Sequence, residues 1–323
     1  MAIVTNTFTK YSAVGIREDL SNVIYNISPQ TTPFVSNMTK RRSVNNTFFE
    51  WQTDALAAAA ANAQIDGDDL SSFTAVTATS RLGNYTQILR KDFVIADNLG
   101  GSLDLAGRRS EVAYQLARKG DELKRDIEMN LCGLNQAAVA GSSSAARKTA
   151  SLSAFIRTNS SRGSSGADPT VSSGVVNAAA TDGTQRAITE TLLKTVLQSV
   201  WTQGGEPKMA LVGPHVKTVI SGFSGIAAQR YMAPSDSPTT IIGAADVYLS
   251  DWGSVQITPS RFSRARDCYI LDPDQCEMAT LRPIQSEQLA KTGDATKYML
   301  LAELGLQVNQ EAGIGVVADL STS

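Results

Sequence analysis

The stretch Asp104–Gly133 constrains the fold more than any other part of the chain, because it reads as one long helix with one apolar face. Its apolar residues Val112, Leu116, Leu123, Ile127 and Leu131 are spaced four, seven, four and four apart. At about 100° per residue they fall in a single stripe roughly 100° wide, with Gly120 in the gap. Arg118, Asp121, Glu122, Arg125 and Glu128 take the other face. Asp121 stands four residues before Arg125, the favourable order for a helical ion pair. Asp104 is placed to cap the start, and Gly133 to take the left-handed conformation that ends a helix. About twenty-odd residues at 1.5 Å each make a rod on the order of 40 Å long, where three or four turns are usual. Such a rod fits two architectures. One is a core helix of an ordinary α/β enzyme, which the stretch taken alone favours. The other is a spine that carries a sheet, with long excursions on either side.

The rest of the chain bears on that choice. Residues 1–18 are polar and read as an extended arm. Leu20, Val23, Ile24 and Ile27 give a short helix over 17–27, stopped at Ser28-Pro29. TTPFVSNM then reads as extended, anchored by Phe34. Residues 40–100 form one excursion with strands at 47–52, 74–79 and 85–89, the last two separated by Gly83-Asn84. Between the first two lie an alanine run, which reads as a loop or short helix, and an acidic tip at Asp66–Asp69. Two strands of about 10 to 15 residues reach on the order of 40 Å, too far to bury both faces on their own body. Phe49, Trp51 and Tyr85 are therefore expected to pack between subunits, where aromatics are enriched.

Residues 137–187 are rich in Ser, Ala, Gly and Thr, with LSAFI at 152–156 as an apolar anchor. Over 158–187 the composition fits a flexible linker and an ordered connection equally. A second amphipathic helix follows in ITETLLKTVLQSVWTQGG, with Leu192, Leu193, Val196, Leu197 and Val200 inward and Gly204-Gly205 at its end. KMALVG is a buried strand and His215 opens another helix. Residues 245–260 make a hairpin turning at Asp251-Trp252-Gly253, and CYILD (268–272) a buried strand. Strands are expected at 276–283, 297–310 and 314–320, with a turn at Thr292-Gly293-Asp294.

Catalytic chemistry finds little to stand on. The only histidine, His215, opens a helix after Gly213-Pro214, a place for a surface or capping group more than for a triad base. AKTGDATK lacks the spacing of a phosphate loop, and Gly204-Gly205 ends a helix where a dinucleotide loop would start one. No metal-ligand spacing is present, so no cofactor or metal is expected. Cys132, Cys268 and Cys276 are odd in number and read as reduced thiols of intracellular origin. Basic residues number 29 against 31 acidic, a net charge of −2, which argues against a dedicated nucleic-acid binder. A container that encloses DNA without gripping it remains open. No apolar run approaches about 18 residues, so no membrane span is expected, and MAIVTNTFTKYSAVG is no secretion signal.

REDLSNVIYNISPQTTPF, NNTFFEWQTDAL, ARKTASLSAFIRTN and, most specifically, LRPIQSEQLAKTGDATKYMLLAELGLQVNQEAGIGVVADL resemble the major capsid proteins of tailed bacteriophages, whose fold is shared with encapsulin shells. The resemblance implies an α+β fold with an N-terminal arm (1–42) and an extended β-hairpin loop (43–98). A peripheral domain would join 99–150, with its spine helix at 104–133, to 272–323. A Ser/Gly-rich connection (151–187) and an axial α/β domain (188–271) complete the chain. It implies homo-pentamers and homo-hexamers in an icosahedral head around double-stranded DNA, held without sequence-specific binding. A separate scaffolding protein, a portal and a decoration protein are the further partners it implies, with assembly in the host bacterial cytoplasm. Two departures stand out. The arm starts almost at Met1, so a scaffold is expected as a separate protein. No acid is assignable to lysine–asparagine cross-linking, so none is expected. The rival readings are an encapsulin-type compartment, an α/β hydrolase or transferase, and a β-rich phage fibre or decoration protein, against which the amphipathic helices at 104–133 and 188–203 weigh.

Overall fold

The apolar stripe does form one rod. In the computed structural model, which describes residues 31–67, 73–101, 110–223 and 246–323, helix α3 spans Glu111–Glu128 and buries Leu123 and Ile127. Asp104, expected as its cap, lies outside the described residues. Ser110 caps the helix instead, its side chain accepting from the Ala113 N–H. Gly133 does not take a left-handed conformation. The helix runs on through a π-helical turn, Met129–Gly133, that buries Leu131 and Cys132. Gly133 is needed for close approach, since a Cβ there would sit 2.0 Å from the Phe262 carbonyl oxygen. Asp121 pairs with Lys124 at 3.2 Å rather than with Arg125, and the four-residue pair is Arg118–Glu122.

The segment expected to be extended around Phe34 is a short helix, α1, Pro33–Asn37. Proline suits a first helical position, and the spine supplies the cap. The Glu128 carboxylate accepts from Phe34 N at 2.7 Å and Val35 N at 2.8 Å. Burial pushes the Glu128 carboxyl above its ordinary pKa, against the pull of those two N–H groups. Phe34 is the buried anchor.

Three sheets surround this axis. The first has the order β1 (Lys40–Ser43), β12 (Cys276–Leu289), β13 (Ala295–Val308), β4 (Gln87–Ala96). Lys91 on β4 pairs with Asp126 of α3 at 2.7 Å and ties sheet to spine. The connection expected after residue 283 is strand instead. β12 passes Pro283 with an irregular register between Thr280 and Gln285 and continues to Leu289. Proline is tolerable there because its side of β12 is an edge. β1 covers that edge only at Glu277–Thr280, so among the described residues Gln285–Leu289 has no strand partner on its outer side. Gly293, with φ +108, makes the turn to β13.

The second sheet has the order β5 (Ser160–Ser161), β14 (Gly315–Val317), β11 (Cys268–Leu271), β8 (Met209–Val212), β10 (Gly253–Pro259), β9 (Val247–Ser250). Alternation along β8 and β11 feeds both faces. Met209, Leu211, Tyr269 and Leu271 join the spine's core. Ala210, Val212, Cys268 and Ile270 meet helices α5 (Glu190–Thr202) and α6 (Pro214–Ser221). Continuous apolar strands are the result of covering both faces. β14, placed at the sequence level with the strands of 272–323, pairs in this sheet.

The third sheet has the order β2 (Phe48–Thr53), β3 (Ser80–Tyr85), β7 (Val175–Ala178), β6 (Thr170–Ser172). Residues 74–79 are not a strand, and Gly83-Asn84 is no turn but part of β3. Gly83 lets the Phe48 ring lie across it, where a Cβ would be 2.6 Å from Phe48 Cζ. The connection over 158–187 is ordered, and the polar knots below hold it.

Candidate assembly surface

The root of the extended loop is the β2–β3 pair, in register from Phe48↔Tyr85 to Thr53↔Ser80. Phe49 and Trp51 are only 4% and 8% exposed. Their rings stack at 5.9 Å, and Trp51 meets Phe155 of the short helix Leu152–Phe155 at 6.1 Å. Phe49 also lies against Gly305, whose Cβ would be 2.8 Å from Phe49 Cε1. Tyr85 is half-buried on Phe48, ring centroids 4.8 Å apart. The expectation that these aromatics face a neighbour is therefore corrected for Phe49 and Trp51: in the single chain they seat the loop on its own body. Trp51→Ala is accordingly expected to cost about 3–5 kcal/mol of subunit stability. Denaturant unfolding of unassembled subunits measures this, and a change below about 1 kcal/mol would refute the placement.

Polar knots fix the same root. Asn84, fully buried, donates to the Leu306 carbonyl at 2.7 Å and Thr149 Oγ1 at 3.0 Å, and accepts from Ala150 N and Tyr85 N. Glu303 accepts from Thr86 Oγ1 and Arg282 Nε, each at 2.8 Å, and from Arg147. Two carboxylates order the connection. Glu311 accepts from the Arg157 and Thr158 backbone and side chains. Asp319 accepts from Gly163 N, Gly183 N and Arg266 at 3.0, 2.8 and 2.7 Å. Nothing in the local sequence marks these four polar residues as knots.

Beyond the root, residues 54–67 and 73–79 carry no regular structure. Leu56, Ile65, Phe73 and Val76 are 99%, 82%, 84% and 96% exposed. Contiguous bared apolar surface is characteristic of contact sites, and these four side chains are the segment's large apolar groups among the described residues. The segment from Asp54 to Ser80 holds Asp54, Asp66, Asp68 and Asp69 and no lysine or arginine.

A groove of about 570 Å³ lies between α1, α3 and the β12–β13 sheet. Val35, Ile127, Met278 and Leu304 line it, with Arg41, Lys124 and Arg282 as its charged members and no acid among the lining residues. It opens at Pro283-Ile284, where the uncovered edge of β12 begins. Lys124 and Arg282 already pair with Asp121 and Glu303, so loop and groove match in apolar character, with Arg41 as the groove's further cation.

His215 is the second residue of α6 and half-buried. The three cysteines are buried free thiols, and burial pushes Cys268 and Cys276 up to about 12. Among the described residues no group of three His, Cys, Asp or Glu side chains could hold a metal ion, and no helix is long and apolar enough to cross a membrane.

Comparison with known proteins agrees with this geometry. The family model described as SU10 major capsid protein matches residues 3–321. The major capsid protein of Escherichia phage Phieco32 is 28% identical over 340 residues, spanning 96% of each chain. Among solved structures, the capsid asymmetric unit of cyanophage A-1(L) has TM-score 0.70 at 14% identity, over 98% of this chain and 99% of that one. The SrpI encapsulin of Synechococcus elongatus PCC 7942 has TM-score 0.58 at 10% identity, over 96% and 98%. At such identities the structural likenesses speak for the fold.

Proposed function

Because the chain belongs to the SU10 major capsid protein family and is a structural shell protein of a tailed phage head, we propose that it closes its shell by laying residues 54–79 of each copy into the apolar groove of the next. The observation that carries this reading is that one chain holds both halves of the contact, a loop with bared apolar side chains and an apolar groove that no described residue fills. A surface that binds a different surface of the next copy is heterologous. It closes into rings when the rotation permits, and homo-pentamers and homo-hexamers are such rings. The extended loop (43–98), the arm (1–42), the peripheral domain (99–150 and 272–323), the connection (151–187) and the axial domain (188–271) are the parts in this reading. The root aromatics hold the loop's base while its tip reaches out.

The role is structural, without catalysis. A separate scaffolding protein, a portal and a decoration protein are the further partners, with assembly in the host cytoplasm around double-stranded DNA. A near-neutral chain suits the contents, since a strongly basic interior would hold DNA through many phosphate contacts and oppose its exit. Electron microscopy and size-exclusion chromatography of the protein, alone and co-expressed with its scaffold, should show closed shells or five- and six-membered rings. A subunit that stays monomeric at high concentration under both conditions would sink the proposal.

A further inference from the structure

A second cavity, of about 350 Å³, adjoins the Asp319 knot through Arg266, and no described residue fills it. Four stretches remote in sequence line it: Met129 and Gly133 of the spine's last turn, Gln185 of the connection, Arg261–Arg266 between β10 and β11, and Thr322. The β10–β11 loop takes its shape locally. Ser260, just past β10, accepts at its hydroxyl from Phe262 N at 3.2 Å and Ser263 N at 3.1 Å. Three donor groups on this cavity have no acceptor among the described residues. Arg261 is exposed and makes no hydrogen bond or ion pair. Ser263 is only 9% exposed, and its hydroxyl is buried without a partner. Arg266 Nε is buried and unpartnered as well. Buried polar groups are nearly always hydrogen-bonded, so two orphans on one cavity call for an occupant.

The other arginine atoms are occupied, and they hold the loop in place. Arg264 donates to Asp182 at 2.7 and 2.6 Å and to Asp267 at 3.0 Å. The terminal nitrogens of Arg266 donate to Asp182, the Gly183 carbonyl and Asp319 at 3.1, 2.7 and 2.7 Å. None of these carboxylates lines the cavity. One hydroxyl and two guanidinium donors, with no lining acid, suit the several acceptor oxygens of a phosphate group. We propose that the cavity binds one phosphate group, free or carried on a nucleic-acid backbone, through Arg261, Ser263 and Arg266 Nε. The bound anion braces the connection and the β10–β11 loop against the end of the spine. The site stands apart from the loop-and-groove contact and does not depend on it.

Equilibrium dialysis of free subunits of the full chain against radiolabelled orthophosphate, at constant ionic strength in sodium chloride, tests this. Binding should saturate at one phosphate per subunit. Arg261→Gln and Ser263→Ala break no side-chain bond within the chain, so both should match the parent in circular dichroism and in unfolding midpoint without phosphate. Each should nevertheless weaken phosphate binding by about tenfold or more, the loss of one charge-assisted hydrogen bond. Arg261→Lys keeps the charge and should retain part of the affinity. A labelled thymidine oligonucleotide, dialysed in the same way, separates the two sources. Tighter binding than orthophosphate, weakened by the same substitutions, assigns the site to a nucleic-acid backbone, and equal or weaker binding assigns it to the free anion. No saturable binding of either probe to the parent, or binding that both substitutions leave unchanged, would overturn the site.

Discussion

A chain in which residues 54–79 are replaced by Asn-Gly is expected to fold as a subunit and to lose shell assembly. Thr53 and Ser80 already face each other at the end of the β2–β3 register, and a two-residue Asn-Gly turn is the natural closure of such a pair. The root aromatics Phe49 and Trp51 stay in place, and among the described residues of the deleted segment none is buried. The neighbour contact loses Leu56, Ile65, Phe73 and Val76. Burying such a side chain is worth about 1.5–3 kcal/mol, so the four together supply roughly 6–12 kcal/mol per contact, less the cost of ordering the loop. A loss of even half that figure weakens each contact by about a hundredfold or more. The readouts are light scattering for assembly and circular dichroism for the fold. Normal shells from the shortened chain would defeat the loop-in-groove reading.

Asp319→Ala should be the most damaging single substitution outside the apolar core. Asp319 is buried, and its carboxylate holds two backbone N–H groups and one guanidinium. Arg266 would keep Asp182, at 3.1 Å, as its remaining ion-pair partner. Removing one member of a buried pair costs about 3–5 kcal/mol. The backbone adds to this, since Asp319 sits at φ +60, where aspartate is tolerated better than alanine. Asp319→Asn keeps the shape and the backbone preference and should cost less. Unfolding of free subunits gives the first comparison, and protease sensitivity between Gly163 and Arg186 gives the second. Equal stability of Asp319→Ala and the parent would show that the connection is held by something else.

The sequence was readable where its signal was local and periodic. Helices α3 and α5, strands β8 and β11 and the β9–β10 hairpin all announce themselves by spacing, and they form the frame. Phe49 and Trp51 were legible as important but not as inward-facing, because an aromatic's type does not say which body covers it. Residues 74–79 have the composition of a strand, but a strand needs a partner, and none of the described residues provides one. Gly83-Asn84 looked like a turn because those residues favour turns. Here one gives room to a ring and the other ties partners 65 and 222 residues away. The connection over 158–187 hid its order for the same reason: its fasteners, Glu311 and Asp319, lie far along the chain.

The position of β14 sets a timetable. It follows every other described strand in the chain, yet it lies inside its sheet, between β5 and β11. β11 therefore keeps a bare flank, and the fastening at Asp319 stays undone, until residue 319 has left the ribosome. Translation proceeds from the other end, so a nascent or prematurely terminated copy lacks the finished shape its neighbours must fit. A copy cut short before β14 keeps that gap in its sheet, so it is screened out by its own shape without a dedicated inspector.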